Sequence, residues 1–387
     1  MIVVNRIGEN IVVSCRDKEY SVLYNKERFD KLMKISEESQ TISRIAELNA
    51  LLEEAEEICK NDFKERVEAF HCEIYVAPVT QKFYLKIGDV VSKIPMPDPL
   101  VRRLKESLDK EINSDPIIKC WKRFLRNKKA NNPDFARRFC EYIDMIYVRP
   151  DEVNRLMEEE GLGYGIATEM ASTYEVKVTQ EGLIACYKTS QEIDYKFVPG
   201  EDGEPQKVNR YTKTFDENTG EILGDNRDDI PAEDRLFQPL IMGNGGDAFY
   251  CEGPSGFSKP GHFIKVGCLH RLPDWSHVNC DDHTSCVKGL HVGGLGYINQ
   301  WGGEIHTCLV DPMHIGAIPD YSGALAIRVL QYFVDGSLSA LNHSIYHSSE
   351  YAKQTDEEWE KVAEEILEKH GTLKEEIDES ATTINNL

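Results

Sequence analysis

Between Asn279 and Tyr297 the chain reads Asn-Cys-Asp-Asp-His-Thr-Ser-Cys-Val-Lys-Gly-Leu-His-Val-Gly-Gly-Leu-Gly-Tyr, placing two cysteines, two carboxylates, two histidines and four glycines in nineteen residues. The wider window Cys251 to His314 holds five of the eleven cysteines and seven of the eleven histidines. Thiol and imidazole groups beside glycines that admit close backbone approach are the raw material of a metal, nucleophile or small-ligand site. Three chemistries compete for it. Cys280, Cys286 and His291 give a C-x5-C-x4-H spacing, with His277, His283, Asp281 and Asp282 as further ligands. Structural zinc sites usually contain one ligand pair two to four residues apart, and no such cysteine pair occurs here. A second reading makes Cys286 a nucleophile activated by His291 or His283 with an acidic residue orienting the imidazole, since a thiol five residues from an imidazole could meet it across the Gly-Leu-His turn, and Cys286 and His291 are the candidate catalytic residues. The third reading makes Gly289-Leu290-His291-Val292 a turn feeding a strand, with Leu290 and Val292 facing a core and His291 hydrogen-bonded to its surroundings. The density of polar chemistry favours a binding or interaction site whose ligand and cofactor the sequence leaves unknown.

The segments that must position this motif are legible from periodicity. Ile2 to Val4, Ile11 to Ser14 and Tyr20 to Leu23 are short apolar runs separated by turn residues and predict a small antiparallel β unit. Ile42, Ile45, Leu48, Leu51, Leu52, Ala55 and Ile58 recur at helical spacing and predict an amphipathic helix. Cys72 to Val76 and Phe83 to Ile87 return to strand character. Residues 97 to 150 have helical periodicity, with Ser114-Asp115-Pro116 and Asn132-Pro133-Asp134 as helix starts. That stretch carries thirteen Lys and Arg against eight Asp and Glu, the one basic patch suited to an anionic partner; Trp121 and Phe124 at helical spacing read as core rather than as a base-stacking platform. Past residue 161 the composition turns β-rich, with a hairpin expected between Tyr211 to Phe215 and Glu221 to Leu223. From Ser348 a helix is expected to end near His370-Gly371, followed by a frayed tail from Glu379 to Leu387.

This gives an α+β expectation: residues 1–95 a β-rich unit with a long helix, 96–160 a small helical domain, 161–347 a mainly antiparallel β domain carrying the motif, and 348–387 a helical tail. The 387 residues suffice for two or three cores. A net charge of −22 opposes broad nucleic-acid or anionic-lipid binding. No apolar run of membrane-spanning length and no signal-like leader occurs, which predicts a cytoplasmic protein with reduced thiols. Gly243-Asn244-Gly245-Gly246-Asp247 lacks the lysine of a phosphate loop.

The residues Leu272-Pro273, Val278, Cys280-Asp281-Asp282, Thr284, Cys286 and Gly289-Leu290-His291-Val292 resemble the rIIB lysis-inhibition proteins of T-even-like phages. Val178-Thr179-Gln180-Glu181-Gly182 followed by Ile184-Ala185-Cys186-Tyr187-Lys188, and Val310-Asp311-Pro312 with Ile315 to Tyr321, extend the resemblance. Relative to the family, extra residues lie between Phe215 and His262, a tail is added, and the helix-turn-helix-like opening of some members is missing. The resemblance implies a phage accessory protein that delays host lysis or counters host exclusion. It would act with an rIIA-like partner in the host cytoplasm, at the inner face of the membrane through that partner, with Cys280, Asp281, Asp282, Cys286, Gly289 and His291 as its motif. The alternative is a metal- or Cys/His-dependent enzyme, or a ligand-binding protein, with its site at residues 280–291.

Overall fold

The computed structural model describes residues 2–8, 10–16, 18–70, 73–77, 80–87, 90–109, 114–146, 150–163, 176–200, 203–230, 235–240, 249–253, 258–284, 287–298, 302–319, 326–337, 351, 359–373 and 377. The fold is α+β, and the strand pairings among these residues are antiparallel. The chain divides into two compact units, Met1–Met96 with Gly371–Leu387 and Pro97–His370. The four segments read from composition are thus gathered into two. Among the described residues no helix is long and apolar enough to cross a membrane.

In the first unit, β1 (Ile2–Ile7), β2 (Asn10–Cys15) and β3 (Lys18–Leu23) form a meander. Its alternation puts Ile2, Val4, Ile11, Val13 and Cys15 on one buried face. Against them pack Leu32 and Ile35 of α1 (Lys26–Thr41) and Leu52, Ala55 and Cys59 of α2 (Ile45–Phe70). Periodicity reveals α2 but not α1, whose start is fixed by Asn25 Oδ1 accepting from the Arg28 N–H at 3.2 Å. A second sheet joins β4 (Ile74–Val76), β5 (Phe83–Ile87) and β6 (Val90–Pro95) to β22 (Gly371–Leu373), so the residue expected to cap the last helix instead opens a strand. Cys72 and the tail from Glu379 lie outside the described residues.

The second unit opens with four helices, α3 (Asp98–Asp109), α4 (Asp115–Leu125), α5 (Pro133–Ile146) and α6 (Pro150–Glu160). The Asn132 side chain caps α5 by accepting from Asp134 N at 3.0 Å and Phe135 N at 3.1 Å, whereas the Ser114 side chain makes no capping bond and its carbonyl starts α4 instead. Phe124 stacks on Phe139 at 4.1 Å and on Trp121 at 5.3 Å, an aromatic core. Part of the basic excess of this stretch is met within the unit. Arg123 pairs with Asp311, Arg126 with Glu365, and both Arg102 and Arg103 with Asp144.

The remainder is β-rich. β7 (Lys177–Val178), β8 (Ile184–Glu192), β13 (Phe237–Pro239), β14 (Phe249–Glu252), β15 (Ser258–Gly261), β16 (Leu269–Arg271), β17 (Leu290–Gly293), β18 (Glu304–Val310), β19 (Ile315–Ala317), β20 (Ala326–Val329) and β21 (Gln331–Ser337) make one 11-stranded sheet. Its order is β15-β14-β16-β21-β18-β8-β17-β20-β19, with β7 and β13 also on β8. Two hairpins stand apart, β9 (Tyr195–Pro199) with β10 (Pro205–Asn209), and β11 (Lys213–Phe215) with β12 (Ile222–Asp225). A short α7 (Leu295–Ile298) follows β17, and α8 (Trp359–His370) ends the unit. The glycine run at 243–247 lies outside the described residues.

Candidate functional site

The loop that carries the motif is built from Asx turns. A single turn of helix at Trp275–His277 is capped by Asp274, whose carboxylate accepts from Ser276 N at 2.7 Å. Asn279 Oδ1 then accepts from Asp281 N at 2.8 Å, and Asp281 Oδ1 from His283 N at 3.0 Å, so two consecutive local bonds curl the chain. The loop closes where Asn279 N donates to Lys288 O at 2.9 Å.

Cations from distant elements fasten this curl. Lys129 Nζ donates to Cys280 O at 2.9 Å and Gly316 O at 3.0 Å, lying 3.6 Å from the Phe135 ring centroid. Burial holds its amine below the usual lysine range, with Asp282 pulling the other way. Arg328 donates through Nη2 to Asp281 O. Asp282 Oδ1 accepts from Ile318 N at 2.7 Å, and its other oxygen lies 3.9 Å from Lys129 Nζ and 3.7 Å from Arg138 Nε. Asp282 therefore latches the loop between the α4–α5 region and the chain after β19.

Gly289 adopts a φ of +132°, which side chains of L residues rarely take, while a Cβ there would meet Val278 Cγ1 at 3.5 Å and Arg328 Cβ at 3.6 Å. Space would admit alanine; the backbone conformation is what calls for glycine. Leu290 and Val292 then face the core, as the strand reading expects, and His291 lies opposite Arg328 in the β17–β20 register. Burial, then Lys188 and Arg328, push the His291 imidazole down to about 3, against a ring bond to the Gly289 backbone. Its Nε2 is buried and has no hydrogen-bond partner. Lys188 Nζ donates to His291 O at 2.9 Å, and burial lowers its amine to about 8.

These positions bear on the chemistry read from spacing. Cys286 lies outside the described residues. Cys280 directs its thiol to Val278 O at 3.6 Å. Among the described residues no group of three or more His, Cys, Asp or Glu side chains is placed to hold a metal ion. His291 stands beside two cations, which raises the electrostatic cost of a metal there. An imidazole depressed to about 3 is also a poor proton acceptor at neutral pH.

A second polar group went unread in the sequence. On the central strands, His306 Nε2 lies 2.6 Å from Ser190 Oγ and its Nδ1 3.2 Å from Ser337 Oγ. His270 accepts from Lys265 N at 3.2 Å and stacks on Tyr332 at 5.0 Å. Burial pushes His306 down to about 4 and, with His306 nearby, His270 to about 3. The available signal was alternation, Cys186-x-Lys188-x-Ser190 against His306-x-Cys308, which places these residues on one strand face. Compared with protein-family models, curated proteins and solved structures, the chain matches none.

Proposed function

We propose that this protein is a phage accessory protein of the rIIB-like kind, acting in the host cytoplasm with an rIIA-like partner to modulate lysis timing or counter host exclusion. One observation supports the reading. The segments that carry the resemblance, around 178–188, 272–292 and 310–321, are far apart in sequence yet contribute neighbouring strands: β7 pairs with β8, β8 with β17 and β18, β17 with β20, and β20 with β19. In the described part of their loop, Asp282, Cys280 and Asp281 are held by Ile318, Lys129 and Arg328. Residues already held by such bonds suit recognition of a partner, because less ordering entropy is lost on binding.

The test is affinity purification of tagged protein from phage-infected cells, with wild type beside Asp282→Ala and Gly289→Val, each checked for folding by circular dichroism. Recovery of one large phage protein with wild type, lost with folded variants, is the expected result. If wild type recovers no phage partner and phage lacking the gene lyse every host on the normal schedule, the reading fails, and ligand binding at residues 280–291 takes its place.

A further inference from the structure

The chain between β8 and β13 forms an arm, closed at its base where Ile193 N donates to Leu236 O at 2.8 Å. Glu192 holds that base, pairing with Arg235 at 2.9 Å and accepting from the Tyr211 hydroxyl. Beyond it, among the described residues, β11 and β12 pair only with each other, and every residue of the two strands except Asp225 is exposed. Phe215, Ile222 and Leu223 are 53%, 58% and 66% exposed, three large apolar side chains on one small hairpin. Two strands alone hide little of either face, so such a hairpin is marginal in water until something covers it.

Its two edges differ. Thr214 lies opposite Gly224 and Phe215 opposite Ile222, so Leu223 is an extra residue that bulges β12 and spoils that edge for further pairing. The β11 edge is regular. Asn226 N donates to Thr212 O at 3.1 Å and Asp216 N to Glu221 O at 2.8 Å, so the main-chain groups of Thr212 and Asp216 turn inward. Alternation then turns those of Lys213 and Phe215 to the open edge. We infer that a second copy of this chain docks there, the two β11 strands pairing antiparallel about a two-fold axis at Thr214. Only this register uses both outward residues of both strands: Lys213 of each copy faces Phe215 of the other, and Thr214 faces Thr214. Facing residues share a side of the sheet, so an ammonium meets an aromatic ring twice over. Centring the pairing on Lys213 would instead set like charges opposite. The inference does not rest on the phage reading.

The experiment uses the purified full chain at physiological salt, which screens the repulsion between copies of net charge −22. A pairing this short covers less than the roughly 1,200 Å² of a stable interface, so association is expected between about 1 µM and 1 mM, read by sedimentation equilibrium in reducing buffer. Phe215→Lys removes both rings and sets like charges opposite at an exposed position. It is expected to weaken association about tenfold or more while circular dichroism stays unchanged. Cross-linking by glutathione disulfide, which takes two electrons and two protons from a thiol pair and leaves two glutathiones, tests the register. Thr214→Cys is expected to give a disulfide-linked dimer, since directly opposed Cβ atoms lie about 4.5 Å apart, within disulfide reach. Lys213→Cys, whose symmetry mate lies two residues along, and wild type with its native thiols are expected to give none. A wild type that stays monomeric to about 1 mM overturns the second-copy assignment, as does association that Phe215→Lys leaves undiminished. Equal cross-linking at positions 213 and 214 overturns the β11 pairing. Loss of the phage partner by Phe215→Lys, with wild type monomeric when alone, overturns it too and gives the edge to that other protein.

Discussion

Asp282 concentrates the consequences of the motif in one side chain. Its carboxylate satisfies the Ile318 N–H and stands between Lys129 and Arg138 with only 15% of the side chain exposed. Removing it strands a backbone donor and takes a carboxylate away from two largely buried cations. Asp282→Ala is therefore expected to cost about 1.5–3 kcal/mol, the range for a bond to a charged group, measured by urea unfolding. Asp282→Asn keeps an acceptor for Ile318 and loses the partly screened charge, so it should cost no more than about 1 kcal/mol. Equal losses in both would mean that charge rather than the Ile318 bond holds the loop. The Cys-Asp-Asp and Gly-Leu-His residues were conspicuous in the sequence as concentrated chemistry. Asp282's role was not, because Lys129, which joins it at this loop, reaches Cys280 from 151 residues upstream and no local spacing encodes that meeting.

At the scale of elements, α4 shows how far the helical stretch is from an independent domain. Ile117, Trp121, Phe124 and Leu125 are buried, and so are Lys122 and Arg123 on the other faces. Gly182, at φ +76°, brings the turn before β8 so close to this helix that a Cβ would lie 2.4 Å from Cys120 N. Beside it Arg123 donates through Nε to Glu181 O at 2.7 Å and through Nη1 to Asp311 Oδ2 at 2.9 Å. With both side chains at or below 5% exposure, breaking this pair from one side leaves a buried charge. Arg123→Met should destabilise the protein by about 3–5 kcal/mol, and adding Asp311→Asn should recover part of that loss, a coupling that a double-mutant cycle measures. Additive losses would show that the two residues act separately. Periodicity revealed the helices that bury a regular stripe, such as α2. It did not reveal α1, whose Leu32 and Ile35 sit among eight charged residues, nor the sheet order, in which β8 receives strands from far along the chain.

The whole molecule is discontinuous, and this separates its responses to truncation and to acid. The chain leaves the first unit at Met96 and returns at Gly371, where β22 pairs Gly371 with Ser92, Thr372 with Val91 and Leu373 with Val90. Ending the chain at His370 uncovers the β6 edge, so hydrogen exchange should quicken at residues 90–92 while β8 and β18 stay protected; quickening in both units alike would mean that they unfold together. Acid acts on the other unit, which holds the buried histidines. His270 and His306 are fully buried and titrate near 3 and 4 in the fold, against 6.5 when exposed. Their folded values are depressed, so between pH 6.5 and 4 the unfolded chain binds more protons than the native one. The stability they leave intact above pH 6.5 is lost as pH falls through this window. His291, at about 3, behaves the same way, and each of the three contributes a slope of up to about 1.4 kcal/mol per pH unit, so together they give roughly 4. Down to pH 4 this removes about 10 kcal/mol, comparable with typical total stabilities of about 5–15 kcal/mol, so the second unit is expected to lose most of its stability within this window. Urea midpoints followed from pH 7 to 5 by tryptophan fluorescence should fall steeply, and His306→Gln, which cannot take up a proton, should flatten the fall by up to about a third. A midpoint unchanged across that range would show that these imidazoles accept protons inside the fold at little cost, with the serines around His306 rearranged to receive them.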